Sequence, residues 1–421
     1  MTYPLYLLTT HLLVPAVFIR LLLKSRRSPQ YRRRWSERLG FYPNPPPSKP
    51  IWIHTVSVGE FNAAKPLIKR LKENHPDIPL LITTTTPTGS AEVKTYPADL
   101  YHVYLPYDLP IAVNKFLRCW QPRLCIIFET EIWPVLFRKS AAAGIPIIMA
   151  NARLSEKSAR GYRHIKSLVA DTLQRTTTIA AATKEDSARL VALGANTETI
   201  TVMGNIKFDY QPPPSIKESA AHLRQQILGG TRPIWIAAST HEGEEEQILA
   251  AHAELLKQLP DALLILTPRH PERFDEVARL CDPAFNVIRR STGQKCGSGT
   301  NLYLADTMGD LPLLYAAADA AFVGGSLVPI GGHNLIEPAA AGRAPVFGPH
   351  MHNFNEISQL LLAANGATQI ANSHELAQQI EQLLLDSDRT SERGEKALNL
   401  VAQHRGATQL LIDIIDRQLD H

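Results

Sequence analysis

With 421 residues, 44% of them apolar and 20% charged, the chain is long enough for two packed cores and too apolar for a disordered one. Its four cysteines (Cys119, Cys125, Cys281, Cys296) show no C-x-x-C spacing, which argues against a disulfide framework or a zinc knuckle and fits a reducing compartment. The net charge of +4 is local: residues 20–38 hold eight Lys/Arg against Glu37 alone, the remainder carries 36 basic and 39 acidic residues, and a generally nucleic-acid-coating surface is not expected.

Residues 3–23 are apolar, and the uncharged part up to Ile19 is close to the ~17-residue minimum for a spanning helix. His11, Pro15 and Arg20 weaken a span, and neither a charged leader nor a small-residue cleavage site marks a signal peptide. The basic cluster that follows belongs on the cytoplasmic side, beside anionic lipid. The stretch therefore predicts a membrane anchor over 1–23, as a short span or as an interfacial helix. Residues 24–50 read as a basic, then proline-rich connector, stiffest over 43–50.

From residue 51 strands and helices alternate. Buried strands are expected at 51–54, 80–83, 102–105, 124–128, 145–149, 178–181 and 199–202, with helical patterns such as 61–74 and 184–193 between them. A proline break at Pro212-Pro213-Pro214 separates a second set: 234–237, 263–266, 286–288, 302–304, 320–323, 345–347 and 368–370. This layout predicts two doubly wound parallel α/β domains, over 51–210 and 211–421, with a cleft between them. The last helix is a candidate to pack back on the first domain.

Ligands in such sheets sit beyond the carboxyl ends of the strands, so the residues there carry the chemistry. Glu60 follows the first strand at a helix N-terminus, where the dipole favours an ionised carboxylate; it is a general-base candidate or a helix cap. Glu129 and Glu131 end the fourth strand, and Glu131 is expected to hold a basic partner. Lys207 is placed to neutralise developing charge. In the second half Pro268-Arg269 follows a strand, and Arg269 suits a bidentate anion. Met308-Gly309-Asp310 offers backbone groups and a carboxylate to a ribose or base.

The run Gly324-Gly325-Ser326 to Gly331-Gly332-His333-Asn334-Leu335-Ile336-Glu337 reads as strand, glycine turn and helix start. Its free N–H groups would attract phosphate, although Asn334 and Glu337 equally fit a capping pair. His350 and His352 lack a third ligand at convincing spacing, so no metal is expected. No G-x-G-x-x-G follows the first strand of either half, and no G-x-x-x-x-G-K-[ST] occurs, which removes the usual dinucleotide and P-loop signatures.

Taken in order, Val56-Ser57-Val58-Gly59-Glu60, Thr84-Thr85-Thr86-Pro87-Thr88-Gly89, Leu105-Pro106-Tyr107-Asp108, Glu129-Thr130-Glu131-Ile132-Trp133-Pro134, Asn151-Ala152-Arg153-Leu154-Ser155, Pro268-Arg269-His270-Pro271-Glu272-Arg273 and Gly331-Gly332-His333-Asn334 resemble the bacterial Kdo (3-deoxy-D-manno-octulosonic acid) transferases. The resemblance covers essentially the whole chain. It implies a GT-B fold of two Rossmann-like domains, acceptor on the first and nucleotide on the second. It further implies inverting transfer of Kdo from CMP-Kdo to the lipid A precursor at the cytoplasmic face of the inner membrane, adding two units in sequence, with no cofactor or metal. By motif, Glu60 matches the base, Glu129 and Lys207 match transition-state stabilisers, and Pro268, Arg269, Met308, Gly309, Asp310, Asn334, Leu335, Ile336 and Glu337 match CMP contacts. Some relatives carry Glu where Asp310 stands. An epimerase or hydrolase of a soluble nucleotide sugar is the nearest rival, and it has no use for the apolar start.

Overall fold

The computed structural model describes residues 1–26, 28–42, 45, 49–281 and 284–419. Arg27 of the basic cluster, and residues 43, 44 and 46–48 of the connector, lie outside them. The chain forms two units, one from Met1 to Asp209 joined by the segment from Arg405, the other from Tyr210 to His404.

The first unit is built on seven strands: β1 (Ile51–His54), β2 (Leu80–Thr84), β3 (Tyr101–Tyr104), β4 (Leu124–Phe128), β5 (Ile147–Ala152), β6 (Thr178–Ala181) and β7 (Ile200–Val202). They pair in parallel in the order β3-β2-β1-β4-β5-β6-β7, with Ile51 opposite both Leu80 and Leu124. The central strands are apolar throughout because both faces of the sheet are covered. Alternate residues serve opposite cores: Trp52, Leu81, Cys125 and Ile127 pack on one side, Ile51, Ile53, Leu80, Ile82, Ile126 and Phe128 on the other. Proline opens the helices Pro87–Thr95, Pro110–Trp120 and Pro134–Ala142, where its missing N–H costs nothing. The closing helix, Ala407–Leu419, completes the second of these cores with Leu411, Ile412 and Ile415.

The helix Tyr3–Ser25 is long and apolar enough to cross a membrane by length and composition. One stripe of it nevertheless rests on the first unit. Tyr3, Tyr6 and Leu7 pack against the core, Phe18 lies 5.0 Å from the Trp35 ring, and Leu21 and Ser25 are buried. The Tyr6 hydroxyl donates to Asp108 at 2.8 Å; the same carboxylate accepts the Val135 and Leu136 N–H groups at the start of helix Pro134–Ala142. The opposite face, with Leu5, Leu8, Leu12, Leu13, Ile19, Leu22 and Leu23, is exposed.

The second unit repeats the plan with β8 (Ile234–Thr240), β9 (Leu263–Pro268), β10 (Val287–Arg289), β11 (Leu302–Leu304), β12 (Ala320–Val323), β13 (Pro345–Phe347) and β14 (Thr368–Gln369). The order is β10-β11-β9-β8-β12-β13-β14, again all parallel. All fourteen expected strands are present, with ends shifted by up to three residues. β11 lies between β9 and β10, an order that periodicity does not carry. Each sheet puts the carboxyl ends of its strands on one edge, and the sequence-predicted site residues follow those ends.

Candidate active site

In the first unit, β1 runs into helix Val58–Asn74, and Glu60 sits in its first turn. The N-cap Ser57 makes no side-chain cap. Glu60 reaches back instead: its Oε2 accepts the Val56 N–H at 2.6 Å and its Oε1 the Ser57 hydroxyl at 3.4 Å. The expectation that the dipole keeps this carboxyl ionised is corrected here. Burial pushes Glu60 up to about 8, the Val56 N–H offsets part of that, and the charges of Glu129 and Glu131 add to the rise. Desolvation outweighs a partial charge that is itself shared with the backbone.

Glu129, one residue past β4, holds φ at +57°, a left-handed conformation that is uncommon outside glycine. Its N–H donates to the Ala150 carbonyl at 2.9 Å, and the Thr130 hydroxyl donates to the Arg153 carbonyl, which fastens this turn to the end of β5. Glu131 does not have the basic partner expected for it: no ion pair among the described residues includes it. Burial raises it to about 7; the Trp133 indole N–H approaches and offsets part of that without closing a regular hydrogen bond, while Glu129 adds to the rise. Three carboxyls thus share one strand-end edge, and the charges of Glu129 and Glu131 reach Glu60. Lys207 lies in the turn Ile206–Asp209 after β7, held by Asn205 Oδ1 on its own N–H at 3.1 Å and by Asn151 Oδ1 on the Ile206 N–H at 3.3 Å. Asn151 is fully buried with φ at +52°, a further strained strand-end residue.

In the second unit, the glycine turn after β12 does not offer its N–H groups to a ligand as expected. Glu244, fully buried, already fills it: its carboxylate accepts from Gly325 at 2.7 Å, Ser326 at 3.0 Å and Leu327 at 2.9 Å, and from His241 at 3.3 Å. A side chain at Gly324 has no room, since its Cβ would stand 2.7 Å from both Glu244 Oε2 and the Ser239 carbonyl oxygen. The sequence offered only a Gly-Glu-Glu-Glu run to hint at this role; the N–H groups of the glycine turn lie over eighty residues away.

Beyond the turn, Asn334 behaves as a cap. Its Oδ1 accepts the Ile336 N–H at 3.1 Å, and its amide donates to Glu337 at 3.0 Å, at the start of helix Ile336–Ala340. Leu335 and Ile336 are buried. Burial raises the Glu337 carboxyl; Asn334 and then Arg269 pull it back. Arg269, just past Pro268 at the end of β9, is exposed and forms no ion pair among the described residues. Arg269 and Glu337 therefore come together, on the same edge as His333. The His333 and His241 rings stack at 5.0 Å and 4°, with Nε2 atoms 2.7 Å apart, so one donates and the other accepts. Burial lowers both; His241, Arg269 and His270 add to that for His333, which falls to about 3, and both rings are neutral near pH 7. Sequence reading missed this pair. Met308 is exposed, and Gly309 takes φ +89° in the turn before helix Leu311–Ala317. Asp310 there is engaged internally, by Arg290 Nε at 2.7 Å and the Thr307 hydroxyl at 2.6 Å, and the Arg290 bond holds it below its ordinary value. No group of three or more metal-ligating side chains occurs among the described residues.

Residues 33–210 match the family profile described as 3-deoxy-D-manno-octulosonic-acid transferase (kdotransferase). The 3-deoxy-D-manno-octulosonic acid transferase of Haemophilus influenzae is 41% identical over 403 residues, spanning 94% of each chain. That of Bordetella pertussis is 37% identical over 383 residues, spanning 88% of each. Among solved structures, the UDP-GlcNAc 2-epimerase of Neisseria meningitidis aligns with 88% of this chain and 100% of its own at a TM-score of 0.58 and 13% identity. Anabaena HepE in complex with UDP aligns with 89% and 100% at 0.56 and 15%. At such identities the likeness is one of fold, the two-Rossmann GT-B plan. The curated relatives match along nearly the full length, and this chain is a glycosyltransferase that belongs to the 3-deoxy-D-manno-octulosonic acid transferase family.

Proposed function

We propose that the chain moves Kdo from CMP-Kdo to the tetraacylated lipid A precursor with inversion, adding two units in sequence. The observation that carries this reading is Glu60, a carboxyl raised to about 8 at the carboxyl edge of the first sheet, because a base poised near the working pH is the one group a direct displacement needs. Glu60 takes the proton of the acceptor hydroxyl. The oxygen forms its bond to the anomeric carbon of Kdo, and the bond to phosphate breaks with its electron pair leaving on CMP. Glu129, held in a strained conformation, and Lys207 stabilise the charge that develops.

In the second unit, Pro268, Arg269, Met308, Gly309, Asp310 and the run Asn334, Leu335, Ile336 and Glu337 hold the cytidylate. Arg269 supplies its counter-charge and the neutral His241–His333 pair a hydrogen-bonding wall; no metal is required by this scheme. The exposed apolar face of helix Tyr3–Ser25, next to the basic residues that follow, supports attachment to the cytoplasmic face of the inner membrane.

Mass spectrometry of lipid products from purified protein, CMP-Kdo and the tetraacyl acceptor tests reaction, acceptor and number of additions together. Glu60→Gln is expected to keep the fold and CMP binding while transfer falls about a hundredfold or more, the usual range for losing a general base. Unchanged transfer would make Glu60 a helix cap alone.

A further inference from the structure

Among the groups this scheme does not use, one is a buried charge without a counter-ion among the described residues. Arg38, at the end of the short helix Trp35–Arg38 in the first unit, is 5% exposed. It makes one hydrogen bond, from Nη2 to the Thr85 carbonyl at 2.8 Å, and its Nε is buried with no partner. Nη1 closes no regular hydrogen bond among the described residues, although the guanidinium approaches the Tyr107 hydroxyl, and it is not closed off from solvent as Nε is. The nearest acid in sequence, Glu37, is spent elsewhere: one oxygen pairs with Arg34 at 2.5 Å and the other accepts the Tyr104 N–H at 2.8 Å.

Arg34 and Arg38 both lie over the Tyr104 ring, at 4.7 and 4.3 Å. One aromatic ring thus carries two guanidinium groups, and only Arg34 has an anion. Contact with a ring face returns part of what an arginine loses on leaving water, not all of it. A charge retained under those terms marks a place where an incoming ligand brings the missing anion.

Its surroundings say which ligand. The Thr85 N–H donates to the Val56 carbonyl at 3.3 Å, and the Val56 N–H donates to Glu60 at 2.6 Å, so the guanidinium adjoins the loop that holds the proposed base. On the other side Arg38 lies 5.9 Å from the Tyr107 ring, against which Phe18 of the apolar helix packs at 6.0 Å. The charge therefore stands between a lipid-seeking helix and the base.

We propose that Arg38 is the centre of an anion subsite in the first unit that binds a phosphate monoester of the lipid acceptor. Nη1, the arm open to solvent, offers phosphate a charge-assisted hydrogen bond. The proposal rests on the first unit being the acceptor unit, and it adds the atom that orients the acceptor.

The test is binding without donor, using full-length protein in detergent, with the phosphorylated disaccharide lipid and its dephosphorylated counterpart as probes. Arg38→Gln is expected to weaken the phosphorylated probe about tenfold or more, as loss of one charge-assisted contact does, and to leave the dephosphorylated one within about twofold. Arg38→Lys, which keeps the charge without the planar guanidinium, falls between. The melting temperature of Arg38→Gln stays the same or rises, since an uncompensated charge has been removed. Equal loss for both probes would mean a structural role and overturn the proposal, as would equal binding of the two by the unsubstituted protein. Weakened binding to phosphatidylglycerol vesicles with both probes unaffected would assign Arg38 to membrane headgroups and overturn it too. Product formation from CMP-Kdo is scored separately and bears only on the transfer reading.

Discussion

At the scale of single residues, Glu60 shows how two forces on one carboxyl are ranked. Its place in a first helical turn argues for the ionised form, and its burial beside two other acids argues against it; burial prevails and the group titrates near 8. Transfer should accordingly rise with pH and level off above about 8, which a rate profile of the intact enzyme will show. Stability should run the other way. Between the ordinary glutamate value and about 8 the folded state keeps a proton that the unfolded chain has released, so the contribution is full in acid and is lost as pH rises through the folded value. Glu131, raised to about 7, acts in the same direction. Thermal melts across this range should therefore fall toward alkaline pH, and Glu60→Gln should flatten much of that slope.

Individual elements were largely readable in the sequence, and the reasons are physical. A parallel strand covered on both faces is a continuous apolar run, so β1, β4 and β9 announce themselves. Pairing order is not written in periodicity, which is why β11 between β9 and β10 could not be anticipated. Positions such as Glu60, Arg269 and Asn334 follow from the rule that ligands lie beyond strand ends. Their states do not: the anion already seated in the glycine turn is a side chain from another strand end, and the missing partner of Glu131 depends on packing that no local pattern encodes. The helix Ile336–Ala340 illustrates how such an element is fixed from behind. Helix Ser387–Gln403 approaches the turn after it so closely that a Cβ on Gly394 would stand 2.1 Å from the Gly342 carbonyl oxygen. Gly394→Ala should cost about 1–3 kcal/mol through overpacking, read as a lower melting temperature, and should weaken CMP binding by shifting the Asn334–Glu337 segment.

For the molecule as a whole, the dominant fact is that the first unit is finished by the last helix. Leu411 and Ile415 fill a core with β1 and β4, and the Asp209 carboxylate accepts the Gly406 and Thr408 N–H groups within the same unit. Leu411→Ala should destabilise the first unit by about 2–5 kcal/mol, the usual loss for an emptied leucine site. A chain stopped after His404 should lose hydrogen-exchange protection over 51–202 and retain it over 234–347; equal protection in both would show that the closing helix is dispensable.

That arrangement sets a timetable for biogenesis. The apolar helix Tyr3–Ser25 and β1 are translated well before Ala407–Leu419, so the unit they belong to closes its interior only once that later stretch has been made. A nascent chain would thus carry an unfinished first unit while the second is being made, and helix Ala407–Leu419 acts as the latch that closes it.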